Sequence, residues 1–456
     1  MAFPTDFFWG ASSSAYQIEG ASAKDGKGKS VQDVKEIPAG LPDFTVCSGH
    51  YERYKEDVAL FKELGLKAYR FSIAWTRIIP DGVGEVNQAG VDFYNSLIDE
   101  LKANDIEPIV TIYHFDLPAA LQEKGGWGER ATVDAFVDFA RVCFETFGDR
   151  VKYWQTINEQ NMMTLVPEHV VSGPLEGYPL YQANHHMFVA QSKAMAVCHE
   201  VRPECKIGPA PNISVNYPAS SDPKDVLAAQ YADAVRNWLY LDAAVFGEYN
   251  ALALDFIKRS GYTIDVTDED REIMRNGKPD FIAFNYYATG TVGYVEGETL
   301  VDDEGNIHGP GSQVDNPHLS KTEFSGWWID PVGFRNTINE IYTRYRLPLV
   351  VTENGLGERD ELVDGQVNDD YRIKYLSEHI AQVKAAVDSG IPMFGYNPWS
   401  VMDLISTHEG FLKRYGFIYV NRTNDDELDL ARIKKKSFGW YTRVIESNGE
   451  NLSTEI

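Results

Sequence analysis

Leu347-Pro-Leu-Val-Val-Thr-Glu-Asn-Gly355 is an apolar run that stops on an acid. Such a run reads as a parallel strand buried on both faces, where an ionisable group is badly tolerated. A carboxylate placed where that strand gives way to loop is the position barrel enzymes use for chemistry. A second run, Tyr153-Trp-Gln-Thr-Ile-Asn-Glu159, ends the same way. One strand-end glutamate is often an ordinary polar cap. Two of them, Glu159 beside Asn158 and Glu353 beside Asn354, read as a working pair, because each amide is able to hold a carboxylate or a ligand hydroxyl.

Outward from these two runs, further strands are expected near Phe7–Ala11, Ala68–Ser72, Pro108–Tyr113, Lys206–Pro209, Phe281–Tyr286 and Met393–Asn397, with the pair itself on Tyr153–Asn158 and Leu349–Thr352. Amphipathic stretches lie between them, among them Gly90–Asn104, Ala131–Phe147 and Asp370–Gly390. Alternating strands and helices make a parallel sheet, and eight such strands predict an α/β fold, a single (β/α)8 TIM barrel over residues 1–456. Length beyond the usual barrel of about 250 residues is expected in elaborated βα loops, at Thr263–Pro279 and Tyr294–Trp328. A two-domain, doubly wound sheet would show a Gly-rich phosphate loop after its first strand. None follows here, and Gly125-Gly126 reads as a turn.

The net charge of −26 argues against a nucleic-acid partner, which needs a basic face. No segment approaches the roughly 20 apolar residues of a membrane span, and the amino terminus has neither a basic region nor an apolar one. Cys47, Cys143, Cys198 and Cys205 show no metal-binding spacing and read as buried, reduced thiols. The chain reads as cytosolic.

Polar and aromatic residues gather where the strands end: Gln17 after the first, Arg70 in the second, His114 after the third, Asn158 and Glu159 at the fourth, Tyr287 after the sixth, and Trp399 after the eighth. Amides and imidazoles beside flat rings suit a sugar, whose hydroxyls take hydrogen bonds while its C–H face lies on an indole.

These segments resemble glycoside hydrolase family 1, the β-glucosidase and 6-phospho-β-glycosidase family. The resemblance is carried by Phe7-Phe-Trp-Gly-Ala-Ser-Ser-Ser-Ala-Tyr-Gln-Ile-Glu-Gly20, Tyr69-Arg-Phe-Ser-Ile-Ala-Trp-Thr-Arg-Ile78, Tyr113-His-Phe-Asp-Leu-Pro118, Thr156-Ile-Asn-Glu159, Asn285-Tyr-Tyr287 and Val351-Thr-Glu-Asn-Gly355. It implies a retaining mechanism, with Glu353 as nucleophile and Glu159 as acid/base. It further implies that Arg70 and Tyr287 contact the nucleophile, a cation there keeping Glu353 ionised, and that Gln17, His114, Asn158 and Trp399 bind the sugar. This chemistry needs no metal or organic cofactor. Gln160 stands where many members have proline, and with Asn161 it predicts a hydrophilic aglycone side.

In plain β-glucosidases the family pattern after the eighth strand carries a Glu and then a Trp, the Glu gripping the 4- and 6-hydroxyls. Aligned on Asp403 and Gly410, those positions are Ser406 and Thr407 here. A carboxylate facing a phosphate in a poorly solvated site is costly, so its absence implies an anionic group at C6. Ser406, Lys413 and Tyr415 offer a hydroxyl, an ammonium and a phenol, and their Ser-x6-Lys-x-Tyr spacing resembles the phosphate-binding signature of 6-phospho-β-glycosidases. The 6-phospho-β-galactosidases carry Trp after this Ser, so Thr407 favours the gluco epimer. The expected reaction is hydrolysis of a small phosphorylated β-glucoside to glucose 6-phosphate and an aglycone. The alternatives are an unphosphorylated β-glucosidase, a 6-phospho-β-galactosidase and a non-catalytic sugar-binding protein.

Overall fold

The computed structural model describes residues 2–171, 178–295, 311–324 and 326–455. Among them, eight parallel strands surround one axis: β1 (Phe8–Ser12), β2 (Ala68–Ser72), β3 (Glu107–Tyr113), β4 (Tyr153–Asn158), β5 (Lys206–Ala210), β6 (Ile282–Asn285), β7 (Leu349–Glu353) and β8 (Met393–Tyr396). Their order around the sheet is β5-β4-β3-β2-β1-β8-β7-β6, with β1 paired in parallel to both β2 and β8. At the β5–β6 seam, Asn285 N donates to Pro211 O at 3.0 Å and Ile213 N donates to Asn285 O at 2.9 Å. The expected barrel is therefore the observed one. Strands β2 and β4 have the expected limits, β1 and β6 shift by one residue at both ends and the others by one residue at one end, which leaves Glu353 as the last residue of β7.

The outer layer is helical: α1 (His50–Leu64), α2 (Gln88–Ala103), α3 (Ala131–Phe147), α4 (Leu180–Val201), α5 (Leu239–Phe246), α6 (Pro331–Tyr345), α7 (Asp370–Asp388) and α8 (Lys436–Glu446). The spacing of apolar residues explains why they lie on the sheet. In α3, Val133, Phe136, Ala140, Phe144 and Phe147 recur every three or four positions and are all buried, forming one stripe against the strands. Inside the barrel the floor is aromatic, Phe8, Tyr153, Phe281 and Phe394 meeting ring to ring, with Tyr153 and Phe394 5.8 Å apart. Polar side chains occupy the layers above this floor, toward the carboxyl ends of the strands.

One expected loop is not a loop. Thr263–Pro279 precedes β6, on the helix-to-strand side, and contains the helix Asp268–Asn276. Thr267 Oγ1 accepts from Asp270 N at 3.1 Å, and the Asp270 carboxylate accepts from Thr267 N at 3.1 Å. This reciprocal cap starts a helix that buries little beyond Met274, so its dense charge conceals a helical face. The other expected insertion, Tyr294–Trp328, does lie between β6 and α6; its described parts form short strands at Ser312–Gln313 and Ser320–Lys321, and residues 296–310 and 325 of it lie outside the described residues. Among the described residues, no helix is long and apolar enough to cross a membrane. All four cysteines are buried thiols.

Candidate active site

Arg70 rises from β2 into the barrel interior and is 0% exposed. A buried guanidinium must place its donors on acceptors, and this one finds three. Nε donates to Gln155 Oε1 at 3.1 Å, Nη2 to Asn158 Oδ1 at 2.6 Å, and Nη1 to Glu353 Oε1 at 2.6 Å. Tyr287 OH donates to the other oxygen of Glu353 at 2.7 Å. Both oxygens of this carboxylate are thus held by donors that favour the charged form. Burial acts against them and is the larger effect: it pushes the Glu353 carboxyl up to about 7, with Arg70 pulling down and Glu159 adding repulsion. The expectation that a cation keeps Glu353 ionised therefore needs correcting, since Arg70 only partly offsets the loss of water around the acid.

Glu159 follows β4 with a left-handed backbone, φ 44°, unusual for a residue with a side chain. Its N–H donates to Ala210 O at 2.8 Å, which fixes the turn against β5. Asn212 Nδ2 and Asn285 Nδ2 both donate to Oε1, each at 2.9 Å. Arg236 holds Asn212 in place, Nη2 donating to Asn212 Oδ1 at 3.0 Å. The two glutamates therefore have unlike surroundings. Glu353 is gripped by a cation and a phenol, and Glu159 by two neutral amides that address one oxygen and leave Oε2 available for a proton.

Both glutamates line one cavity of about 170 Å³, together with Gln17, His114, Asn158, Tyr287, Trp399, Ser406 and Tyr415. Nine of the eleven residues expected from sequence thus share a single space. Arg70 lies beneath it. Lys413 lies behind its wall, with Nζ 4.3 Å from the centre of the Trp327 ring. Trp399 stacks on His114 at 5.8 Å and 15°. Asn158 gives its carbonyl oxygen to Arg70 and Asn285, so its amide nitrogen faces His114 Nε2, at 3.2 Å. That arrangement puts the remaining imidazole proton on Nδ1, which is buried and has no protein acceptor. Burial, then Arg70, lowers the His114 pKa well below its usual value. His114 is thus a neutral ring with a donor awaiting a ligand oxygen.

The segment after β8 supplies Ser406, Lys413 and Tyr415, all buried. Gly357 lets the Tyr415 ring reach the cavity, since a Cβ there would lie 2.4 Å from Tyr415 Cζ. Burial lowers the Lys413 pKa from its ordinary value, opposed by Glu409 and Glu358. Among the described residues, the one carboxylate within 4 Å of Nζ is Glu409, at 3.8 Å.

Among the described residues, Gln160 and Asn161 do not supply the expected hydrophilic aglycone side. Gln160 Nε2 turns away to Asn184 Oδ1 at 2.7 Å, and Asn161 Nδ2 turns to Asn212 O at 2.7 Å. Near Glu159 in the chain, Met162, Val166 and Val170 line the cavity, together with the Asn212 amide that holds Glu159. Asn212, Arg236, Trp327 and Glu409 were not among the expected site residues. Asn212 had a readable signal, an amide just beyond the end of β5. Trp327 and Glu409 had none, because loop geometry brings them in. Among the described residues, no group of three or more His, Cys, Asp or Glu side chains is arranged to hold a metal ion.

A sequence profile described as Glycosyl hydrolase family 1 matches residues 1–450. Aryl-phospho-beta-D-glucosidase BglC of Bacillus subtilis is 44% identical, over 99% of this chain and 98% of that protein. Phospho-cellobiase of Klebsiella oxytoca is 40% identical, over 99% of each. Among solved structures, a family 1 β-glucosidase from Thermotoga maritima superposes with a TM-score of 0.89 at 36% identity, covering 99% of both chains.

Proposed function

Because the chain belongs to glycosyl hydrolase family 1, we propose that it is a retaining β-glycosidase that hydrolyses 6-phospho-β-D-glucosides to glucose 6-phosphate and an aglycone. The observation that carries the phosphate in this reading is Lys413. The residue is 1% exposed, its ammonium lies behind the wall of the cavity of the two glutamates, and no carboxylate is in direct hydrogen-bond contact with it among the described residues. Glu409, at 3.8 Å, pairs with it only loosely, so an anion that makes direct contact stabilises this buried cation further. The phospho-β-glucosidase names of relatives at 37–44% identity support the same reading.

In the first step Glu353 attacks the anomeric carbon as its bond to the glycosidic oxygen breaks, and that oxygen takes the proton from Glu159. The aglycone leaves as an alcohol, and the sugar stays esterified to Glu353. In the second step Glu159, now ionised, takes a proton from water while the water oxygen attacks the same carbon. The ester breaks and the product keeps the β configuration. Arg70 and Tyr287 orient the nucleophile and take up its charge when it is released. Gln17, His114, Asn158 and Trp399 hold the ring, with His114 Nδ1 donating to a sugar hydroxyl. Ser406, Lys413 and Tyr415 bind the phosphoryl group.

Nitrophenyl β-glucoside and its 6-phosphate test the proposal directly. The phosphorylated compound is expected to have the higher kcat/KM. Preference for the unphosphorylated sugar, the activity named for the Thermotoga structure, refutes the phosphate reading and leaves a plain β-glucosidase. A phosphorylated sugar stays in the compartment where it is made, so the proposal includes a cytoplasmic location, which cell fractionation checks.

A further inference from the structure

Ser406 Oγ donates to Glu409 Oε2 at 3.3 Å, and Lys413 Nζ lies 3.8 Å from that same oxygen. Two groups of the phosphate cradle therefore converge on one anionic oxygen that the protein itself supplies. We propose that Glu409 is a built-in competitor for the phosphoryl group. It fills the cradle in the free enzyme and must turn out when the phosphorylated sugar docks, so it determines how tightly and how selectively that subsite binds. The inference rests on the phosphate reading of Ser406, Lys413 and Tyr415, and adds a residue that this reading does not require.

The charges do not permit both anions to stay. A carboxylate and a phosphoryl dianion at one point repel, and beside the buried Ser406 and Lys413 side chains water screens them less than in bulk. Lys413 is unable to move away, since its side chain is 2% exposed and lies against Trp327, whereas the Glu409 side chain is 30% exposed and has water to turn into. The surrounding chain also leaves room. Ser406, Thr407 and His408 line the catalytic cavity on one side and a second cavity, of about 630 Å³, on the other. Ser406 and Gly410 clamp the ends of this short loop, each backbone N–H donating to the other's carbonyl at 3.1 Å. Glu409 is thus able to swing without disturbing the barrel.

A resident carboxylate has two consequences. It gives the buried Lys413 a counter-charge while the site is empty. It also sets a threshold that an anion must pass. Inorganic phosphate lacks the sugar contacts at Gln17, His114 and Trp399, so the phosphorylated sugar is favoured over free phosphate.

The test is Glu409→Gln, nearly the same shape without the charge, with Glu409→Ala as a second variant. Glucose 6-phosphate and glucose serve as competitive inhibitors at a pH where the phosphate is dianionic. If Glu409 fills the cradle in about two thirds of the molecules, removing its charge lowers the apparent Ki of glucose 6-phosphate about threefold relative to that of glucose. A rise in that ratio would show that Glu409 positions Ser406 and Lys413, and it overturns the proposal, as does an unchanged ratio in both variants. Lys413→Met run in parallel separates the two layers of the argument. If it weakens glucose 6-phosphate while the Glu409 variants do not tighten it, the competitor role alone falls. If Lys413→Met leaves glucose 6-phosphate unaffected, the phosphate subsite falls with it.

Discussion

Tyr287→Phe removes one of the two side-chain hydrogen bonds to Glu353 and should move the acid limb of the pH profile to higher pH. Glu353 reacts as a carboxylate, so kcat/KM follows its ionised fraction on the acid side. With burial placing the carboxyl at about 7, roughly a tenth is ionised at pH 6 and nine tenths at pH 8, and the factor that Glu353 contributes to kcat/KM should fall about tenfold from pH 8 to pH 6, the proton needed on Glu159 setting the basic limb. The Tyr287 hydroxyl, 2.7 Å from Oε2, donates to the charged form. Losing it favours the protonated form, so the pKa rises. A hydrogen bond to a charged group contributes about 1.5–3 kcal/mol, and 1.36 kcal/mol corresponds to one pKa unit, so the midpoint should climb by about one to two units. The assay is kcat/KM against pH with nitrophenyl β-glucoside, however slow, because a sugar phosphate titrates near pH 6 and would obscure the limb. A wild-type limb centred near the ordinary carboxyl value of 4.5 would refute the assignment of Glu353 as a desolvated nucleophile. So would a Tyr287→Phe limb displaced to lower pH.

Lys413→Met keeps an unbranched apolar side chain and removes the ammonium that lies over the Trp327 ring. It is expected to lower kcat/KM for the 6-phosphate by about 10- to 100-fold, the worth of one charge-assisted hydrogen bond, and to leave the unphosphorylated substrate nearly unaffected; equal losses on both substrates would contradict a phosphate role. Glu353→Gln is expected to be inactive yet more resistant to heat at pH 8. A folded-state pKa raised from 4.5 to about 7 means that stability present below the unfolded value is lost as pH rises through 7, about 3 kcal/mol in all. The glutamine variant does not suffer that loss, so its gain in Tm over wild type should be large at pH 8 and near zero at pH 4.5. Equal gains at both values would show that Glu353 is not destabilised by its burial.

The barrel is legible in the sequence because its strands are buried on both faces. Val350 and Val351 carry that signal whatever lies around them, and the helices announce themselves through stripes such as Val133, Phe136, Ala140 and Phe144. Asp268–Asn276 is illegible for the converse reason: a helix that buries little beyond Met274 is held by its caps and ion pairs, and these resemble loop composition. Gln160 and Asn161 illustrate a different limit. Residue type gives the capacity for hydrogen bonding but not its direction, and here both amides bond to the protein rather than to the cavity.

The same limit explains why the two glutamates look alike in sequence and differ in the fold. Each ends an apolar strand beside an asparagine, and nothing local tells nucleophile from acid. The difference comes from residues far along the chain. Arg70, 283 positions from Glu353, reaches it because β2 and β7 face the same interior. Asn212 and Asn285 reach Glu159 because β5 and β6 flank the seam beside it. A cation and a phenol on Glu353 stabilise a group that must carry negative charge, whereas two neutral amides on one oxygen of Glu159 leave the other able to hold a proton. If the roles were reversed, the attacking carboxylate would lack a direct ion pair, since Arg236 acts on Glu159 from beyond Asn212, and the proton donor would sit against a guanidinium that favours its ionised form. The partners that closure of the barrel provides therefore support Glu353 as the nucleophile and Glu159 as the proton carrier, a distinction that the strand-end pattern alone does not contain.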